Sequence, residues 1–169
     1  MTLRKLAVRG LAEVIFSLLV FPPTNLIGLG PVAFAQDESS AFVHVGGALM
    51  TNIGAIAGVT NLGPVSGDLA GSIAATILGQ NSNGSFNVQH YWVTAAGDTI
   101  TLKVAVLTPT YPTSDTGIVA VPWGSYRSYI TGGTGKFNHA TGYLDYFGMA
   151  DFHQGTLVLR YRGEICHAH

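Results

Sequence analysis

Apolar and polar side chains alternate with a period of two through most of the chain after residue 68, and glycine-rich breaks separate the alternating runs. Asp68–Leu78 reads as a strand with Leu69, Ile73 and Ile77 on one face and the small set Asp68, Ala70, Ser72, Ala74 and Thr76 on the other, a face that would leave space beside it. After the turn GQNSNG, Phe86–Thr94 places Phe86, Val88, His90 and Trp92 together. The turn AAGD leads into Thr99–Leu107, where Ile100, Leu102, Val104 and Val106 oppose Thr99, Thr101, Lys103 and Ala105. These two runs predict an antiparallel hairpin. Ile118–Val121, Ser125–Ile130, Gly142–Ala150 and Thr156–Cys166 supply further strands, and Thr108–Gly117 is a proline-bearing loop suited to shaping a cavity mouth.

The start of this region is less regular. Ala41–Leu49 is extended and apolar, but Met50–Ser66 holds too many glycines for a helix and too little alternation for a strand, and is expected to be a loop or short strand lidding a cavity. About eight strands with tight turns and no helix define an all-β protein, a single antiparallel β-barrel of lipocalin-like or allene oxide cyclase-like build.

Composition agrees with that class. Only 10% of the 169 residues are charged, 47% are hydrophobic and 22 are glycine, which excludes a disordered chain. The formal net charge is −1 and Lys/Arg do not cluster outside the N-terminus, so no nucleic-acid partner is expected. Arg4, Lys5 and Arg9, the apolar Val14–Phe21 and the small-x-small Ala33-Phe34-Ala35 form the pattern of a secretory signal over residues 1–35, although Glu13 and Pro22-Pro23 interrupt it. Val14–Phe21 is far short of the ~20 apolar residues a bilayer span needs. The expectation is a secreted or periplasmic protein with a tether at 36–40, a barrel domain at 41–169 and no stable membrane association once the signal is removed. The lone Cys166 has no intramolecular disulfide partner.

The candidate chemistry starts at the last strand. Leu157, Leu159, Tyr161 and Ile165 share one face, and Val158, Arg160, Arg162 and Glu164 the other. The charged face is either solvated or the wall of a polar-lined cavity, since parity alone does not say which side is inside. Asp68 and Glu164 are the candidate catalytic acids, because each is read within a strand, where a carboxylate facing an apolar interior must be paired or take up a proton. Arg160 is a candidate partner. His90, between Val88 and Trp92, is either a half-buried structural histidine or a proton carrier. Tyr161 is a secondary catalytic candidate, and Trp92, Tyr126, Tyr129 and Tyr143 are candidates to line an aromatic-rich pocket. Cys166, His167 and His169 fall short of a standard zinc site, so no metal is expected, and no cofactor.

The segment Tyr129-Ile-Thr-Gly-Gly-Thr-Gly-Lys-Phe137, followed by Ala140-Thr-Gly-Tyr143, resembles the dirigent and allene oxide cyclase-like barrel superfamily, as does Gly67-Asp68-Leu69. The terminal RYRGEIC is closer to bacterial members. GGTGKF is not a phosphate loop, because the spacing differs and no helix follows. The resemblance implies a barrel enclosing a mostly apolar cavity and assembly as a homotrimer. It implies isomerisation or cyclisation of a hydrophobic or aromatic ligand steered within the cavity. Two alternatives carry over: oxidative demethylation of a phenazine-type heteroaromatic, and ligand binding without turnover.

Overall fold

The computed structural model describes residues 42–167 apart from residue 116; the signal expected at 1–35 and the tether at 36–40 lie outside the described residues. The strands are β1 (Phe42–Ile56), β2 (Thr60–Gly67), β3 (Gly71–Gln80), β4 (Phe86–Thr94), β5 (Thr99–Leu102), β6 (Ala105–Leu107), β7 (Ile118–Val121), β8 (Tyr126–Gly133), β9 (Thr141–Asp151) and β10 (Thr156–Cys166). They form a closed antiparallel barrel of eight staves. Two staves are interrupted. β5 and β6 both pair with β4 and β8, and β7 and β8 both pair with β9. Each stave is thus hydrogen-bonded to its neighbours in the chain, and β1 closes on β10 over eleven residue pairs from Phe42↔Cys166 to Asn52↔Thr156. Closure removes the unpaired edges that an open sheet of this size would expose.

Three sequence expectations are corrected by this register. Met50–Ser66 is no lid: it forms the upper half of β1 and nearly all of β2, a long hairpin reversing at Ala57–Gly58. Its glycines serve close packing and the turn, which is why the alternation is hard to see. Asp68 lies in the β2–β3 turn, and β3 begins only at Gly71. The small-residue face of β3 points outward, while Ile73, Ala75 and Ile77 face the interior.

The β5–β6 stave also departs from simple alternation. The register with β4 shifts by one residue between Tyr91↔Thr101 and Val88↔Ala105. This bulge keeps Ile100 and Leu102 inside, then turns Ala105 inward and leaves Val104 and Val106 exposed.

One end of the barrel is filled by large side chains: Trp92, Phe137, Leu144, Tyr161 and Ile165 are all essentially without exposed surface. Phe137 belongs to the 3-10 turn Gly135–Phe137 within the GGTGKF segment, so that segment helps close the barrel. The β2–β3 turn tucks into the same end. The Leu69 N–H donates to Tyr161 Oη at 3.0 Å and the Trp92 indole N–H donates to the Leu69 carbonyl at 3.0 Å. Tyr161 Oη donates onward to the Ser66 carbonyl at 3.1 Å, and the Trp92 and Tyr161 rings meet edge to face at 5.3 Å.

Tyr161 fits this position because Gly47 has no side chain: a Cβ there would run into the Tyr161 ring and the Ser66 carbonyl. Gly47→Ala is therefore expected to lower stability by about 1–3 kcal/mol, the usual cost of overpacking. Gly79→Ala, where a Cβ meets nothing within 4 Å, should stay within about 0.5 kcal/mol of the parent. Urea unfolding of the two variants measures the difference.

Candidate functional site

Above the filled end the inward positions become smaller, and a cavity of about 290 Å³ opens between the staves. Its wall is mostly aliphatic, with Leu49, Ile73, Val88, Val121 and Leu159 among its residues. Ala75 and Ala150, where bulkier residues would fill the space, help keep it open. Pro109 and Tyr111 of the β6–β7 loop and Phe152 after β9 complete the lining, in keeping with the mouth-shaping role expected of Thr108–Gly117. Among the described residues, no Asp, Glu, Lys or Arg lines the cavity.

The polar groups at the inner end are neutral. His90 on β4 is buried, hydrogen-bonded through Nε2 to Tyr126 Oη at 2.7 Å and through Nδ1 to Ser128 Oγ at 3.1 Å. A neutral imidazole has one donor and one acceptor nitrogen, so one hydroxyl donates to the ring while the other accepts from it. Burial lowers the His90 pKa to about 4. The imidazole stacks on the Tyr146 ring at 5.0 Å, and Tyr146 lies 5.0 Å from Tyr126. Burial pushes both phenols up from their ordinary value. Among the described residues, Tyr146 Oη, Thr51 Oγ1 and, outside the cavity lining, Thr94 Oγ1 are buried with no hydrogen-bond partner.

The candidates named from sequence divide into four places. His90 and Tyr126 line the cavity. Trp92 and Tyr161 lie at the filled end, their polar atoms engaged by the β2–β3 turn. Asp68 stands on that turn, is exposed, and accepts the Gly46 N–H at 2.8 Å. Arg160, Glu164, Tyr129 and Tyr143 face outward, because inward parity on β10 belongs to Leu159, Tyr161, Gly163 and Ile165 and on β8 to Tyr126, Ser128 and Ile130. Glu164 pairs across the strands with His44, whose Nδ1 lies 3.5 Å from its carboxylate. Cys166 is buried, and His167 Nδ1 bonds the Lys136 carbonyl at 2.8 Å; His169 lies outside the described residues.

Sequence reasoning missed Ser128, which sits at an inward position of a strand it had found but is not distinctive as a residue type. It also missed an outer-wall ion pair. Asp145, only 2% exposed, accepts two hydrogen bonds from Arg127 at 2.7 and 2.6 Å, and the guanidinium lies 4.1 Å above the Tyr143 ring. Near the rim, His153 Nε2 lies 2.9 Å from both carboxylate oxygens of Asp115, which raises the His153 pKa and lowers that of Asp115.

Fold and site together define a closed eight-stave barrel with an apolar, uncharged cavity. No family model matches the chain, and no curated protein matches it. Among solved structures the chain is similar to the pterocarpan synthase dirigent protein GePTS1, at 14% identity over 87% of this chain and 100% of that one, with a TM-score of 0.35. It is also similar to the pterocarpan synthase dirigent protein PsPTS1, at 14% identity over 76% and 97% of the two chains, with a TM-score of 0.32. The closed barrel is defined by the strand register of this chain itself.

The buried imidazole has a measurable consequence. Its folded pKa of about 4 lies below the ordinary histidine value of 6.5, so between those values the unfolded chain binds the extra proton. Stability is therefore complete above pH 6.5 and falls as the pH drops toward 4, by about 3 kcal/mol from this group. Urea unfolding at pH 7 and pH 4.5 should show the loss, and His90→Phe should show a smaller difference between the two pH values.

Proposed function

We propose that this protein binds a small hydrophobic or aromatic ligand in the barrel cavity and holds it in a defined orientation, acting as a steering protein without charged catalytic groups. The observation that carries this reading is the cavity itself: about 290 Å³, apolar, and without an acid, lysine or arginine in its wall among the described residues. Space of this size is close to the lower end of ordinary ligand pockets. Confinement in such a space fixes which faces of a reactive molecule can meet and excludes water.

Proton transfer is a weaker reading. General acid–base catalysis works best with a pKa near the operating pH, whereas His90 is lowered to about 4 and the Tyr126 and Tyr146 phenols are pushed up. Isomerisation or cyclisation driven by the acids Asp68 and Glu164 would need them near the ligand, and both stand away from the cavity wall. Redox demethylation of a heteroaromatic would need an electron acceptor and gains no specific support from the wall. Steering within the cavity remains the preferred activity.

The reading keeps the resemblance to dirigent and allene oxide cyclase-like barrels of bacterial type, and with it export through the 1–35 signal and a homotrimer. The exposed outward residues Tyr91, Val93, Val104, Val106 and Tyr129 are the apolar surface that assembly would cover.

Ala75 lines the cavity from β3, so Ala75→Phe should fill part of it. Binding of the neutral dye Nile red, followed by its fluorescence, is expected to weaken at least tenfold in the variant while the melting temperature holds within a few degrees. Equal binding by parent and variant would place the dye elsewhere and remove the cavity from the function.

A further inference from the structure

The cavity wall carries polar side chains at a second place, on β1 and β2, with Ala75 of β3 standing in register between Asn61 and His90. Thr51 on β1 points inward between Leu49 and Ile53, is buried, and its hydroxyl has no hydrogen-bond partner among the described residues. The β1–β2 register, Leu49↔Val65 and Asn52↔Leu62, sets it across from Gly63, which has no side chain to bond it. Two residues from Gly63 on β2 stands Asn61, also lining the cavity. Residues so placed are diagonal neighbours, within reach of one small group.

The Asn61 amide is oriented by the backbone. The Gly54 N–H, at the shifted stretch of β1, donates to Asn61 Oδ1 at 2.9 Å. Only the oxygen end of an amide accepts from an N–H, so this bond settles which end is which. The two Nδ2 N–H donors remain, on the same β1–β2 wall as the unpartnered Thr51 hydroxyl. A hydroxyl buried without a partner destabilises the empty site, and that cost is recovered when a ligand atom bonds it. The Tyr146 hydroxyl is also unpartnered and its residue also lines the cavity, but it stands at the other polar place, stacked beside His90.

We infer that Thr51 and Asn61 form a donor pair that anchors an acceptor oxygen, such as a carbonyl, of an otherwise apolar and uncharged ring compound. The ligand is uncharged because no charged side chain among the described residues lines the cavity, and an unpaired ion taken into such a space loses its hydration without compensation. The pair fixes one end of the molecule against the β1–β2 wall, and the aliphatic wall receives the rest. This inference rests on the cavity being the ligand site and adds the chemical class and its orientation.

Fluorenone and fluorene, tricycles that differ by one carbonyl, are the probes, with fluorenone carboxylate as the charged comparator. Equilibrium dialysis against the full chain is expected to give fluorenone binding about tenfold tighter than fluorene, the ratio one added hydrogen bond supplies, and no measurable binding of the carboxylate. Thr51→Val, which keeps the shape, and Asn61→Leu should each reduce the preference toward unity by weakening fluorenone alone. Thr51→Ser, which restores a hydroxyl, should retain the preference and guards against loss by misfolding. Equal binding of fluorenone and fluorene by the parent, or a preference that survives both Thr51→Val and Asn61→Leu, overturns the anchor while leaving the cavity as the ligand site. If Ala75→Phe leaves the binding of both probes unchanged, or neither probe binds the parent, the cavity reading falls and the anchor with it.

Discussion

The peptide group of Leu69 is held from both sides at the filled end of the barrel, its N–H by Tyr161 and its carbonyl by Trp92. A turn can be pushed into an apolar interior only if its backbone donors and acceptors find partners there. These two aromatics supply them and at the same time occupy the space across the barrel. An eight-stranded barrel is just wide enough to be filled by side chains. Where Trp92, Tyr161 and Phe137 stand, it is filled; where Ala75 and Ala150 stand, it is hollow. The cavity therefore has a floor because a turn is clamped beneath it.

Much of this was legible in the chain. Alternation located β4 and β5 and the strands from β7 to β10, and the turns between them, because each has apolar residues on at least one face. The β1–β2 hairpin was not legible, since its inward face includes Gly47, Gly63, Thr51 and Asn61 in place of large aliphatic residues. That same departure from alternation is what puts polar atoms in the cavity wall. Parity correctly separated the two faces of β10, but the charged set fell on the outside because Tyr161 had to reach Leu69. The one-residue shift in β5–β6 was illegible for a different reason. Val104 and Val106 continue an unbroken pattern past the bulge, and only pairing with β4 shows that Ala105 has taken the inward place.

The division of polar groups gives the molecule its chemical character. Asp145 and Arg127, His44 and Glu164, and Asp115 and His153 all meet on outer or rim surfaces, where water reaches at least one member of each pair. Inside, the polar atoms belong to hydroxyls, an amide and an imidazole that burial keeps neutral. A wall of this kind distinguishes ligands by shape and by the position of a few hydrogen-bonding atoms. It offers a reactive guest little that would add or remove a proton at neutral pH.

The closure of β1 on β10 also governs the order in which the barrel can be completed. Every other stave pairs with one that precedes or follows it directly, so successive hairpins can form from local contacts. The outer edge of β1 must wait for Thr156–Cys166, more than a hundred residues later. Contacts of such long sequence separation bear the largest loop-closure entropy and form late. Until then both terminal strands present open hydrogen-bonding edges, with Phe42, Val43 and Met50 on one and Val158 on the other. The period before closure is thus when the chain is most exposed to pairing with another copy of itself.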